Sequence, residues 1–227
     1  AIRADDPHFP RTRLISLENT QGTVGGMPLS VAYTNSVAEI AREHDLRLHI
    51  DGARIFNAAV ALGVPARDLI AEADSMTFCL SKGLCAPVGS VLVGNREFIT
   101  QARRARKLLG GGMRQAGILA AAGLIAIHEM VERLADDHAN ACLLAEGIAT
   151  IPHIGVDLSR VKTNFVFFDL LETAPVTPDE FSARLAEHNI LMRPYPGFDR
   201  TFRAVTHYWI TPERVGQVVS ALRAVLA

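Results

Sequence analysis

The chain has 227 residues, 49% hydrophobic and 21% charged, with a formal net charge of −1. That composition fits a globular protein of one large or two modest domains and gives no electrostatic case for nucleic acid or a membrane surface. The longest apolar run, around 116–127, is Gly-interrupted and too short for a bilayer, no signal peptide is evident, and Cys79, Cys85 and Cys142 are too scattered for a disulfide framework or a zinc site, so a cytoplasmic location is the default expectation.

The opening stretch 1–13 carries no helix or strand signal and reads like the middle of a protein. A strand is expected at 13–17, followed by Glu18-Asn19-Thr20 and a loop through Gly25-Gly26. Asn35 or Ser36 is placed to cap a helix over 37–44. Strand 46–50 ends at Asp51, helix 55–62 closes at Gly63 and Pro65, and a short helix is expected at 67–73. Strand 75–80 ends at Ser81-Lys82, and strand 90–93 is closed by Gly94-Asn95. Helical patterns cover 97–109, 115–130 and 131–149, with Gly110-Gly111-Gly112 between the first two. After Pro152 and Gly155 the chain reads strand 163–169, helix 178–188 capped by Thr177, strands 190–193 and 202–206, and helix 212–226 capped by Thr211. Strands alternating with helices imply an α/β fold with a mostly parallel sheet. We place a boundary near 150, separating residues 1–150 from a small C-terminal α/β domain at 151–227.

Two strands deliver chemically useful residues at their C-terminal ends, where functional groups collect in such sheets. The first delivers Asp51, followed by Gly52-Ala53-Arg54; the second delivers Lys82, followed by Gly83. Alone, a strand-end Asp is more often a cap or loop residue, and a Lys beside a Gly is usually a solvated surface group. Together, if the two strands are parallel neighbours, they open into the same crevice and suit a pyridoxal phosphate enzyme. The lysine amine forms an imine with the cofactor aldehyde, and a carboxylate keeps the pyridine nitrogen protonated so that the ring accepts electrons.

The segments DGARIFNA (51–58), SKGLCAPVGSVLVG (81–94) and RKLLGGGMRQAGILAAAG (106–123) resemble the threonine aldolase family of fold type I, the aspartate aminotransferase-like architecture. HFPRTRLISLENT (8–20) and FRAVTH (202–207) are similar to it as well, in the family's order. The resemblance implies a large cofactor domain, of which 1–150 is the C-terminal portion, and pyridoxal 5'-phosphate as cofactor. It implies that Lys82 is the Schiff-base lysine and that Asp51 pairs with the pyridinium. Arg54 would lie near the cofactor's phenolic oxygen and the substrate carboxylate, and Arg203 would clamp that carboxylate, which a guanidinium fork fits bidentately. His8 would approach the substrate's β-hydroxyl. Lys107 and Arg114 would reach a neighbouring subunit's site near the phosphate, so a homotetramer, or at least a dimer, is implied. The bland readings are a basic solvated face for Lys107 and Arg114, an edge-strand surface residue for Arg203, and a mobile terminus for His8.

The implied activity is retro-aldol cleavage of β-hydroxy-α-amino acids, L-threonine or L-allo-threonine giving glycine and acetaldehyde. Other fold type I chemistries, β-elimination or transamination, stay open, as does an incomplete polypeptide that assembles without turning over. This sequence departs from the family at Gln21, where a histidine is common, and at Tyr208-Trp209, where an acidic residue often follows. The family also places roughly a hundred residues ahead of the matching region, with the phosphate-binding turn and the group stacked on the cofactor ring. The expectation is therefore of a chain lacking the N-terminal third.

Overall fold

Leu48 and Ile50 alternate with Arg47, His49 and Asp51, so the strand β2 (Arg47–Asp51) buries one face of its side chains and leaves its last residue exposed. Its neighbours are β1 (Leu14–Glu18) and β3 (Ser75–Cys79), both parallel to it. The strand β4 (Ser90–Gly94) closes this sheet antiparallel to β3, in the order β1-β2-β3-β4. The mostly parallel α/β reading therefore holds, with one antiparallel strand that hydrophobic periodicity does not distinguish. These relations come from a computed structural model that describes residues 2–227.

The chain forms two compact units. The first comprises residues 1–20 and 29–131; the second comprises 21–28 and 132–227. The chain passes from the first unit to the second between Val131 and Glu132. The physical reason is the helix α5 (Leu134–Ala149), whose Ala141, Leu144, Ala145 and Ile148 pack into the second unit's core with Phe168, Leu170 and Leu222.

In the first unit, α1 (Val31–Glu43) starts at an N-cap, Ser30, whose hydroxyl accepts from the Tyr33 N–H. It therefore begins six residues before the expected 37, because its first turn lacks the apolar spacing that marks the rest. Ala38 and Ala41 pack on Leu46 and Leu48. The helix α2 (Ile55–Leu62) ends at Gly63 in the left-handed conformation, and a single 3-10 turn, Asp68–Ile70, stands where a short helix was expected. The helices α3 (Arg96–Leu108) and α4 (Gly117–Glu129) follow. At the end of α3 the Gly111 N–H donates to the Arg106 carbonyl (2.8 Å) and Gly110, at φ +83, donates to Lys107 (3.2 Å). That is a Schellman closure, which explains the first two of the three consecutive glycines.

In the second unit a three-stranded antiparallel sheet runs β5 (Ile154–Val156), β6 (Phe165–Leu170), β7 (Thr201–Val205). One face packs on α5, α6 (Pro178–Glu187) and α7 (Pro212–Leu226) through Val166, Phe168, Leu170 and Phe202. The caps Thr177 and Thr211 stand where the sequence places them, the former in a full capping box with Glu180. The strand expected at 190–193 does not form; only Pro194 bridges to Phe202, since Pro194 and Pro196 offer no N–H to a ladder. The segment 21–28 joins this unit: the Thr163 hydroxyl donates to the Gly26 carbonyl (2.8 Å) and the Arg160 guanidinium to the Val24 carbonyl (3.0 Å).

Candidate active site

Asp51 and Lys82 sit at the same end of the first unit's sheet. Asp51 is the last residue of β2, in register with Thr77 of the parallel neighbour β3. Lys82 lies three residues beyond Cys79, where β3 ends. The turn after Asp51 is tight: the Gly52 N–H donates to the Thr77 carbonyl at 2.8 Å, and a Cβ on Gly52 would stand 2.8 Å from that same oxygen. Only glycine fits there. The Asp51 carboxylate accepts the Ala53 N–H (3.0 Å), which fixes its orientation while the side chain stays exposed. Arg54 follows as the half-buried N-cap residue of α2.

Lys82 begins the connection from β3 to β4. The Lys82 carbonyl accepts from the Cys85 N–H (2.9 Å), and Leu80 exchanges backbone bonds with Gly89 and Ala86 (3.0 Å each). The loop carrying the lysine is thus anchored by buried Leu80, Leu84 and Ala86. Lys82 itself is exposed, and among the described residues no carboxylate pairs with it. An unpaired primary amine and a fixed carboxylate at adjacent strand ends are the donor set that a pyridine aldehyde requires.

Other expected site residues have surroundings of their own. His8 is exposed; its backbone N–H donates to Asp6 Oδ1 at 2.8 Å, and its Nδ1 stands 2.8 Å from the same oxygen. Those bonds hold the Asp6 carboxyl below its ordinary range. Lys107 occupies the last turn of α3 and Arg114 the stretch before α4, both exposed. The structure joins none of His8, Lys107 or Arg114 to Lys82 or Asp51 by a hydrogen bond or ion pair among the described residues.

Arg203 belongs to β7 in the second unit, opposite Phe167 of β6. Its guanidinium carbon lies 4.5 Å from the Tyr195 ring centre and 5.5 Å from that of Phe165, and its NH1 donates to the Tyr195 hydroxyl at 3.3 Å. Arg203 and Tyr195 both line a cavity of about 600 Å³ that also includes Arg193 and Thr206. Tyr195 escapes the sequence reading. The signal available was its place in Arg193-Pro194-Tyr195-Pro196, where two prolines stiffen the backbone beside one aromatic ring.

The β-eliminating lyase family model matches residues 1–172. Low-specificity L-threonine aldolase 1 of Arabidopsis thaliana is 47% identical over 215 residues, 95% of this chain and 60% of its own length. Low specificity L-threonine aldolase of Escherichia coli (strain K12) is 44% identical over 226 residues, 100% of this chain and 64% of its own. The chain therefore spans about three fifths of the length of these curated relatives. Among solved structures, a threonine aldolase from Leishmania major superposes with a TM-score of 0.77 at 18% identity, covering 98% of this chain and 64% of that one. A PLP-dependent aminotransferase from Streptococcus suis 89-1591 gives 0.73 at 21% identity, covering 96% and 58%. At those identities the likeness is one of fold.

Proposed function

The chain belongs to the β-eliminating lyase family, and from that premise we propose that it forms part of a pyridoxal phosphate-dependent aldehyde-lyase that cleaves L-threonine or L-allo-threonine to glycine and acetaldehyde. The observation that carries this reading is the pairing of Asp51 and Lys82 at the ends of parallel neighbours, in a chain similar to low-specificity threonine aldolases along its whole length.

Pyridoxal phosphate, when bound, supplies an electron sink for the pair released as the Cα–Cβ bond breaks. Lys82 is the amine that would hold its aldehyde carbon. Asp51 would keep a proton on the pyridine nitrogen. Arg54 and Arg203 would orient the substrate carboxylate, and such orientation places the bond to be broken before any chemistry occurs. His8, or a water it holds, would take the β-hydroxyl proton, a general-base role that an imidazole ring nitrogen can fill.

Lys107 and Arg114 would serve the site of a neighbouring copy near the phosphate, in a homotetramer or at least a dimer. Support comes from the surface around them: Leu108, Leu109, Met113, Ile118, Leu124 and Ile125 are all more than half exposed. A patch of that kind marks an interaction surface. No helix is long and apolar enough to cross a membrane among the described residues, and the three cysteines form no disulfide with one another, in keeping with a cytoplasmic protein.

The test is acetaldehyde release from L-threonine by the complete protein. Lys82→Ala is expected to lower the rate at least a thousandfold, on the order of what loss of a covalent group costs. Cleavage at near wild-type rate would overturn the assignment. Conversion of pyruvate to alanine by the amine-loaded cofactor would instead indicate an aminotransferase.

A further inference from the structure

We propose that Tyr195 is a positioning residue: its ring and hydroxyl hold the Arg203 guanidinium so that the remaining donors are presented to the substrate carboxylate. This rests on the reading of Arg203 as the carboxylate anchor.

The alternation of β6 sends Val166, Phe168 and Leu170 into the helical core and Phe165 and Phe167 to the opposite face. Arg203 shares that face, in register with Phe167. The guanidinium stacks near two rings, Tyr195 at 4.5 Å and Phe165 at 5.5 Å. A ring face attracts the cation through its quadrupole without consuming the in-plane N–H donors. One donor does go to the Tyr195 hydroxyl. Among the described residues, no carboxylate lies within ion-pair distance of Arg203.

Tyr195 is itself fixed. Its N–H donates to the Thr201 carbonyl at 2.7 Å. Its ring meets Phe167 edge-on at 5.4 Å and lies tilted against Phe198 at 5.9 Å. A long arginine left free would have to give up rotamer freedom each time a carboxylate bound; a stacked one has already done so. The arrangement is therefore pre-set for an anion.

The experiment uses the complete protein loaded with cofactor, and compares Tyr195→Leu, Tyr195→Phe, Arg203→Leu and the double variant Tyr195→Leu/Arg203→Leu. Tyr195→Leu is expected to raise KM for threonine about tenfold while kcat moves less than about twofold. Tyr195→Phe, which keeps the ring, should recover most of that loss. Adding Tyr195→Leu to Arg203→Leu should change nothing further. A second readout needs no turnover: the Nε–Hε resonance of Arg203 should be rigid in wild type and Tyr195→Phe, and mobile in Tyr195→Leu. If Arg203→Leu raises KM but Tyr195→Leu alters neither KM nor that resonance, the positioning role is wrong. If Arg203→Leu leaves KM unchanged, the anchor reading fails and takes this proposal with it, whatever the resonance shows.

Discussion

Arg133 and the carboxylate of Asp137 meet one helical turn apart at the start of α5, with Asp137 fully buried. Arg133 NH1 bonds Asp137 Oδ2 at 3.2 Å, and the Asp137 backbone carbonyl accepts the Thr206 hydroxyl (2.6 Å), tying the helix to the end of β7. Burial pushes the Asp137 carboxyl up, against the opposing pull of Arg133. Removing the cation leaves a buried charge without its partner. Arg133→Met is expected to cost about 3–5 kcal/mol of unfolding free energy, measured by urea titration at neutral pH. A loss below about 1 kcal/mol would mean that the pair is solvated in the working protein.

His138, the next residue of α5, gives the fold an acid-sensitive term. Burial depresses its pKa from 6.5 to about 4. The folded state keeps the ring neutral, while the unfolded chain protonates it below 6.5. Its contribution is fully present above that pH and is lost as pH falls through the window down to about 4. The difference amounts to about 3 kcal/mol. Titrations of wild type and His138→Gln at pH 7, 5.5 and 4 should show the extra slope in wild type alone; parallel slopes would remove His138 as its source.

Gly26 stands at φ +66, where an added Cβ would come within 2.2 Å of the Phe165 ring and 2.8 Å of the Thr163 hydroxyl. Gly63 has a similar φ of +65 but open space around it. Gly26→Ala should therefore destabilise by about 3 kcal/mol, strain plus overpacking, and Gly63→Ala by about 1 kcal/mol, strain alone. Equal melting temperatures for the two variants would contradict the packing of segment 21–28 on Phe165.

Asp51→Asn isolates chemistry from structure. The amide oxygen can still accept the Ala53 N–H, so the turn at Gly52 survives. The negative charge does not. A fall in kcat of about 10²–10⁴-fold is expected with an unchanged melting temperature. Retained turnover would separate Asp51 from the cofactor nitrogen.

The apolar surface of α4 makes its own prediction. Ile118→Asp and Leu124→Asp should shift the mass measured by light scattering from oligomer towards monomer, since each buries a charge in the proposed interface. An unchanged mass would locate the contact between copies elsewhere.

Much of this was legible in sequence because the informative signals are local. The runs before Asp51 and Lys82 alternate or bunch apolar residues in strand-sized pieces, and Thr177 and Thr211 announce their helices. What escaped depended on partners distant in sequence. The antiparallel course of β4 is set by pairing with β3, the three residues of β5 are too few to show a period, and α5 is assigned to its unit by contacts with Phe168 and Leu222. Tyr195 was missed for the same reason: its meaning comes from Arg203, eight residues on and across a turn.

The second unit is discontinuous, since residues 21–28 belong to it while the chain on either side of them does not. A gene fragment starting at Glu132 would omit the strip that Thr163 and Arg160 clasp, and would bare Phe165. Excision of this unit for separate expression, or its transplantation onto another scaffold, therefore calls for residues 21–28 to be grafted back through a designed linker. Shuffling at the 131/132 junction by itself breaks a module that the linear order conceals.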